Sequence, residues 1–298
     1  MENKDVINNE KTDPCFKKGV LYMVASALGF SIIPILATLG LSVDIAPGIL
    51  LFYRFFIAAC LFFIYCLIRQ KSLLLQGRKN ITYLIIAGTI YSAQCILFFS
   101  AFKYISAAVG EVIFYIYPVF VAILSAIFLK EKITKYKVSG ILAAVTGIGI
   151  VLYAPGGGIQ ISGVLLVILS ALASSCYFTF NKKFTAEIST PVIMTYVCFT
   201  CSIIYLIYSI CLREFTIPNQ WTHWLYITLL AIWCTVIGLF CLMKGLKILE
   251  AGMASLVSLC EPIFTILLSY IVLGTALTPV QLLGSSIVIA AIYIYEKK

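Results

Sequence analysis

The chain reads as an all-α integral membrane protein of ten transmembrane helices, arranged as two inverted five-helix repeats, and three observations predict it. The first is composition. Of 298 residues, 62% are apolar and 11% are charged, against roughly a quarter charged in a soluble domain, so the surface has to be solvated by lipid. The second is a repeat at one fixed offset. A step of 144 positions takes Gly19 to Gly163, Pro47 to Pro191, Lys103 to Lys247, Pro118 to Pro262 and Gly140 to Gly284. The third is parity: each copy carries five apolar segments, and an odd number of crossings sends the second copy into the membrane from the opposite side. That pattern is the signature of a carrier whose two halves face each other around a site near the bilayer midplane.

About 20 apolar residues are needed to cross the hydrocarbon. Ten such windows fall at 18–40, 49–69, 80–103, 106–129, 136–154, 160–181, 190–212, 222–247, 254–273 and 279–295. The polar, charged stretch 1–17 reads as a disordered cytoplasmic tail. Residues 18–154 form the first repeat and 160–295 the second, with Gly156-Gly157-Gly158 as the linker between them. That glycine run lacks the Gly-Lys-Ser/Thr ending of a phosphate loop. Connections as short as Tyr104-Ile105-Ser106 make neighbouring helices antiparallel. Gly140-x-x-x-Ala144 in the fifth window would let that helix pack closely on a neighbour, within one chain or across a dimer, so both a monomer and a homodimer fit.

Basic residues fix the orientation. Of the 21 lysines and arginines, only Lys103, Arg213 and the intrahelical Arg54 lie outside one set of loops. That set therefore faces the cytoplasm together with both termini, as expected for a multi-pass protein of the cytoplasmic (inner) membrane. The net charge of +9 is scattered over short loops, which argues against a nucleic-acid partner. Trp221, Trp224 and Tyr226 around His223 read as an interfacial aromatic belt, and the cysteines inside apolar windows as small buried hydrophobes.

The paired segments 107–134 and 251–278, the Tyr53-Arg54-Phe55 run of the second window, the mid-helix prolines Pro118 and Pro262, and Leu129-Lys130-Glu131 closing the fourth window resemble the repeat of the EamA family in the drug/metabolite transporter superfamily. The resemblance runs from about Gly19 to Tyr295. It implies ten helices, a central cavity lined by both repeats, and transport of amino acids, other small metabolites or amphiphilic drugs. In three places the sequence departs from the pattern: the second copy has Gly274-Thr275 where the first has Lys130-Glu131, Arg54 maps to Cys198 in the second copy, and the first window has Phe30-Ser31 and Pro34 where many relatives carry Trp-Gly and a lysine further on.

Ionisable groups at membrane depth cost about 2.5–3.5 kcal/mol each on insertion scales, so each needs a reason. There are three: Arg54, Glu111 and Glu261. Arg54, Lys103 and Glu111 sit toward the outer surface, where they form either a structural ion network or an outer gate. Glu261 lies toward the cytoplasmic side, with Lys244 and Lys247 as its expected partners. Two alternating ion locks would then flank one site, with Pro118 and Pro262 as flexure points. Glu111, Tyr115 and Pro118 recur at helical spacing and place a carboxylate, a phenol and a freed carbonyl on one face. Phe30, Tyr91, Gln94, Tyr115, Tyr177, Trp233 and Ser258 are the further candidate substrate contacts, beside the two glutamates.

These residues predict a secondary transporter that moves a small zwitterion or amphiphile, such as an amino acid, outward by alternating access. The alternatives are uptake or exchange of a cationic metabolite such as a sulfonium compound, and a non-transporting receptor or accessory role. With one interfacial histidine and no aspartate at membrane depth, no enzymatic constellation, metal site or cofactor is expected. The expected partners are a small-molecule substrate, the lipid bilayer and, as a candidate coupling ion, the proton.

Overall fold

The computed structural model describes residues 14–296 apart from 70–75, 129–138, 141, 144–145, 148, 152–159, 185–186, 249–256, 259 and 276. Among the described residues the chain is helical and contains no strand. In order these are α1 (Pro14–Ser31), α2 (Ile33–Ser42), α3 (Pro47–Arg69), α4 (Arg78–Ala101), α5 (Ala107–Phe114), α6 (Tyr117–Phe128), α7 (Ile161–Phe184), α8 (Thr190–Cys211), α9 (Trp221–Leu229), a π-helical segment (Leu230–Ile237), α10 (Gly238–Ile248), α11 (Cys260–Leu273) and α12 (Pro279–Glu296). Seven continuous stretches are long and apolar enough to cross a membrane, from Phe16–Ser42 to Trp221–Leu242. The chain is therefore a multi-pass membrane protein. Most of the window at 136–154, the linker glycines, Ala144 and the first part of the window at 254–273 lie outside the described residues.

Three expected spans are less regular than drawn from hydropathy. The first begins at Pro14, inside the stretch read as tail, and breaks between Ser31 and Ile33. Pro34 has no N–H to give and crowds the preceding turn, so α2 restarts with the proline at its N-terminus. The fourth breaks at Tyr115-Ile116, just ahead of Pro118, where Ile116 N–H reaches only as far back as Ile113 O (3.1 Å). The eighth loosens into the π-helical segment, where the Thr235 hydroxyl donates to Leu230 O, five residues back, at 2.8 Å. Single π turns of this kind collect at functional sites.

Packing follows small residues and shared apolar faces. α3 lies along α8, with Leu51, Phe55, Ala58 and Phe62 of α3 and Cys198, Cys201 and Tyr205 of α8 all buried. Stacking of Phe55 on Tyr205 (5.8 Å between centroids) closes this seam. α4 packs on α7, α10 on α1, α8 on α4, α3 on the π segment, α6 on α7 and α11 on both α1 and α5. Exchange by the 144-residue offset turns most of these pairings into another member of the set or into itself: α4 with α7 becomes α10 with α1, and α6 with α7 becomes α11 with α1. The outward faces carry Ile64, Ile68, Ile203, Ile207 and Ile271, all exposed in the isolated chain, as a lipid-facing surface requires.

Candidate functional site

Helices from both halves enclose one cavity of about 130 Å³. At on the order of 10–15 Å³ per water position, that is space for roughly ten waters or one small metabolite. The polar groups come from different elements. α1 supplies Ser26, α3 Arg54, α4 Tyr91 and Gln94, and the segment around the α5–α6 break Glu111, Tyr115 and Tyr117. α7 supplies Ser174 and Tyr177, and the start of α11 with the residues just before it Ser258 and Glu261. Phe30, Phe98, Phe99, Phe114 and Phe178 complete the wall, and the Tyr91 and Tyr177 rings pack in a tilted pair with centroids 4.8 Å apart. Polarity is thus confined to a few groups on an aromatic lining.

Arg54 is 1% exposed. Its Nε donates to Thr235 Oγ1 at 2.7 Å, and the guanidinium lies 5.0 Å from the Phe55 ring centroid and 5.6 Å from that of Phe99. Among the described residues no carboxylate pairs with it, and its two terminal nitrogens make no hydrogen bond. A hydrogen bond from a charged donor contributes about 1.5–3 kcal/mol and a desolvated cation–π contact up to about 2 kcal/mol. Together they offset the roughly 3 kcal/mol cost of the buried charge on insertion scales. The arginine is therefore held without a counter-ion, and its forked end remains available. Thr235→Val would strand the Nε donor, and a loss of about 1–3 kcal/mol is expected, read as a lower Tm with helix content unchanged.

Glu111 is 2% exposed and its carboxyl makes no hydrogen bond among the described residues. Glu261 accepts from the Tyr115 phenol at 2.9 Å, and the same phenol lies 3.0 Å from Ser258 O. Neither expected lock is drawn as an ion pair among the described residues. Both carboxyls line one cavity, and Glu261 meets a tyrosine from the other half of the chain. Lys244 is exposed, with Nζ 5.5 Å from the Phe240 ring centroid, and the Lys247 side chain lies outside the described residues. Lys103 follows α4 in an exposed turn and is not part of the cavity wall.

Of the remaining candidates, Phe30, Tyr91, Gln94, Tyr115, Tyr177 and Ser258 come together on the wall, whereas Trp233 does not. Trp233 is 46% exposed, because the π turn places Cys234 and Thr235 inward in its stead. Pro118 stands in the first turn of α6 with its side chain outside the described residues, and Pro262 is buried in the first turn of α11. Ser26 and Thr235 were missed by sequence reasoning. The Ser26 hydroxyl is buried against the cavity with no partner among the described residues; the one signal for Thr235 was a lone hydroxyl in the apolar run Leu230–Ile237.

Comparison with known proteins gives a consistent result. The model of the EamA-like transporter family matches residues 17–153 and again 161–295. An "uncharacterized transporter" of Archaeoglobus fulgidus is 33% identical over 201 residues, 65% of this chain and 70% of that protein. A "probable amino-acid metabolite efflux pump" of Salmonella typhimurium is 25% identical over 77% of this chain and 82% of its own length. A solved crystal structure superposes with a TM-score of 0.69 over 93% of this chain and 96% of that one; at 19% identity it speaks to the fold alone.

Proposed function

Since this chain belongs to the EamA-like transporter family, we propose that it is a secondary transporter that moves a small zwitterion, with an amino acid as the leading class, out of the cell by alternating access. The observation that carries the reading is the complementarity of the cavity. An unpaired guanidinium at Arg54 suits a carboxylate, Glu111 and Glu261 suit an ammonium, and an aromatic wall suits an apolar side chain. Charged groups of both signs in an aromatic-lined space favour a zwitterion over a simple cation or a polyanion.

The ten-helix, two-repeat architecture belongs to the same proposal. It is supported by the 144-residue repeat, by the two separate matches to one family model, and by helix pairings most of which map onto one another when the halves are exchanged. The distribution of basic residues supports cytoplasmic termini in the inner membrane. The relative named as an amino-acid metabolite efflux pump supports both the substrate class and the outward direction.

The test is a thermal-shift screen of purified protein against amino acids, nucleosides, sulfonium and quaternary cations, and dyes, repeated with Glu111→Gln. Amino acids are expected to stabilise the wild type, and to stabilise the variant at least tenfold less potently. Stabilisation of both proteins alike would remove Glu111 from the site. A response confined to sulfonium or quaternary cations would replace the zwitterion with a cationic substrate.

A further inference from the structure

Arg54 has no counterpart in the second half, and the helix opposite it differs accordingly. The 144-residue offset takes Arg54 to Cys198, and it takes the stretch facing Arg54, Leu230–Ile237, to 86–93 in α4. The contact between α3 and the π segment therefore has its mate in the contact between α8 and α4, and both are made. On the Cys198 side the helix is regular: α4 stays α-helical from Arg78 to Ala101, and the Thr89 hydroxyl donates to Ile85 O, four residues back, at 2.9 Å. On the Arg54 side the matching stretch is π-helical, and the Thr235 hydroxyl donates to Leu230 O, five residues back, at 2.8 Å. The π turn goes with the arginine.

Hydrogen bonding at this contact has a single direction. A threonine hydroxyl carries one hydrogen and two lone pairs. Its hydrogen goes to Leu230 O, so toward Arg54 it only accepts, and the Arg54 Nε–H donates to it at 2.7 Å. Thr235 is fully buried and is not part of the cavity wall, whereas Arg54 lines the cavity. The threonine therefore acts on the cavity through the arginine. With the rings of Phe55 and Phe99 also against the guanidinium, the bond at Nε fixes how the planar group is turned. A guanidinium offers a carboxylate two forks: a side edge made of Nε and one terminal nitrogen, and an end edge made of both terminal nitrogens. Thr235 occupies the side edge, and the end edge makes no hydrogen bond among the described residues.

We propose that Thr235 is a positioning residue for the substrate: carried inward by the π turn, it takes the side edge of Arg54 and leaves the end edge, so that the two terminal nitrogens together grip the substrate carboxylate. This rests on the transporter reading above. Without the hydroxyl the Nε–H is stranded, the guanidinium turns toward another acceptor, and the fork is no longer set. The loss falls on the carboxylate end of the substrate alone, because its ammonium and its side chain are held by other groups on the wall. The second half has no buried arginine to position and keeps an ordinary helix at the matching place, so recognition of the carboxylate belongs to one side of the pseudo-symmetric cavity.

The chain has four arginines, Arg54, Arg69, Arg78 and Arg213, and all but Arg54 are exposed, so NMR of protein carrying isotope-labelled arginine isolates the group. One slowly exchanging Nε–H is expected in the ligand-free wild type, absent in Arg54→Met, in fast exchange in Thr235→Val and restored in Thr235→Ser. Saturating L-leucine should sharpen the terminal N–H signals of Arg54 and leave its Nε–H signal in place. In binding titrations Thr235→Val should weaken L-leucine about tenfold or more and leave isoamylamine, the same molecule without the carboxylate, unchanged, with Thr235→Ser close to the wild type. Equal weakening of both ligands would make Thr235 a support of the fold and overturn the proposal. So would a slowly exchanging Arg54 Nε–H in Thr235→Val, or displacement of the wild-type Nε–H signal by L-leucine, which would place the carboxylate on the side edge. If L-leucine does not bind the wild type, the substrate reading falls, while the ligand-free spectra of the Val and Ser variants still decide whether Thr235 sets the guanidinium.

Discussion

Replacing Arg54 by methionine is expected to yield a folded, monodisperse protein that no longer binds or moves solutes bearing a carboxylate. Removal of a charged partner is severe when it strands an opposite charge, but among the described residues Arg54 has no carboxylate partner. What remains is Thr235, which keeps its own bond to Leu230 O at 2.8 Å, and the faces of Phe55 and Phe99, on which a methionine side chain packs readily. Stability should therefore change little. Affinity should not survive: two charge-assisted hydrogen bonds at about 1.5–3 kcal/mol each correspond to a loss on the order of 10²-fold or more. Arg54→Lys should fall between, because a point charge cannot reproduce the fork. The measurement is counterflow in proteoliposomes, comparing amino acids with amines of the same side chain that lack the carboxylate. Amines should be handled alike by the wild type and the methionine variant. Equal affinity of both proteins for the amino acid would reduce Arg54 to a clamp on the π segment.

The largest effect on stability is expected from Gly88→Val. A β-carbon built at Gly88 would stand 2.6 Å from Thr200 Cβ and 2.9 Å from its Cγ2, distances no pair of carbons tolerates. α4 and α8 would have to separate, and the contact from Cys201 Sγ to Gly88 O (3.3 Å) would be lost with them. Helices in lipid associate through close van der Waals packing, which small residues permit, with no hydrophobic force to substitute for it. Overpacking of this kind costs about 1–3 kcal/mol, and the upper end is expected here because both neighbours are helix-bound. Thermal unfolding in detergent should show a clear drop in Tm and in the monodisperse fraction. Thr200→Gly in the same chain should recover much of it, since the clash is with that side chain. An unchanged Tm for the single variant would mean that the α4–α8 contact is looser than drawn.

Much of the site was already legible in the sequence, for reasons that are local. Glu111 and Tyr115 are one helical turn apart, so their common direction follows from 3.6 residues per turn, and both do line the cavity. Pro118 was read as a flexure point, and the helix break ahead of it follows from a missing N–H; the break ahead of Pro34 has the same cause but was not expected, since the first window was drawn unbroken. Lys103 was harder: its distance along the helix put it beside Arg54 and Glu111, but the chain turns at that point and carries the side chain outward. Trp233 failed for a similar reason, because a single π turn shifts the register by one residue and exchanges which side chains face in.

What the sequence determined by itself was the solvent and the plan: apolar windows that require lipid, a repeat at 144 residues, and the positions where prolines interrupt helices. These are sums over neighbouring residues or consequences of one backbone group, and they do not depend on how distant segments meet. Only the tertiary structure decided the partners of the buried polar groups. Arg54 finds Thr235 across 181 positions and Tyr115 finds Glu261 across 146, where charge pairing along the sequence had suggested Glu111 for Arg54 and Lys244 and Lys247 for Glu261. A buried donor takes the acceptor that packing brings within about 3 Å in the right direction, and that choice is made by the crossing of helices, which no local pattern encodes.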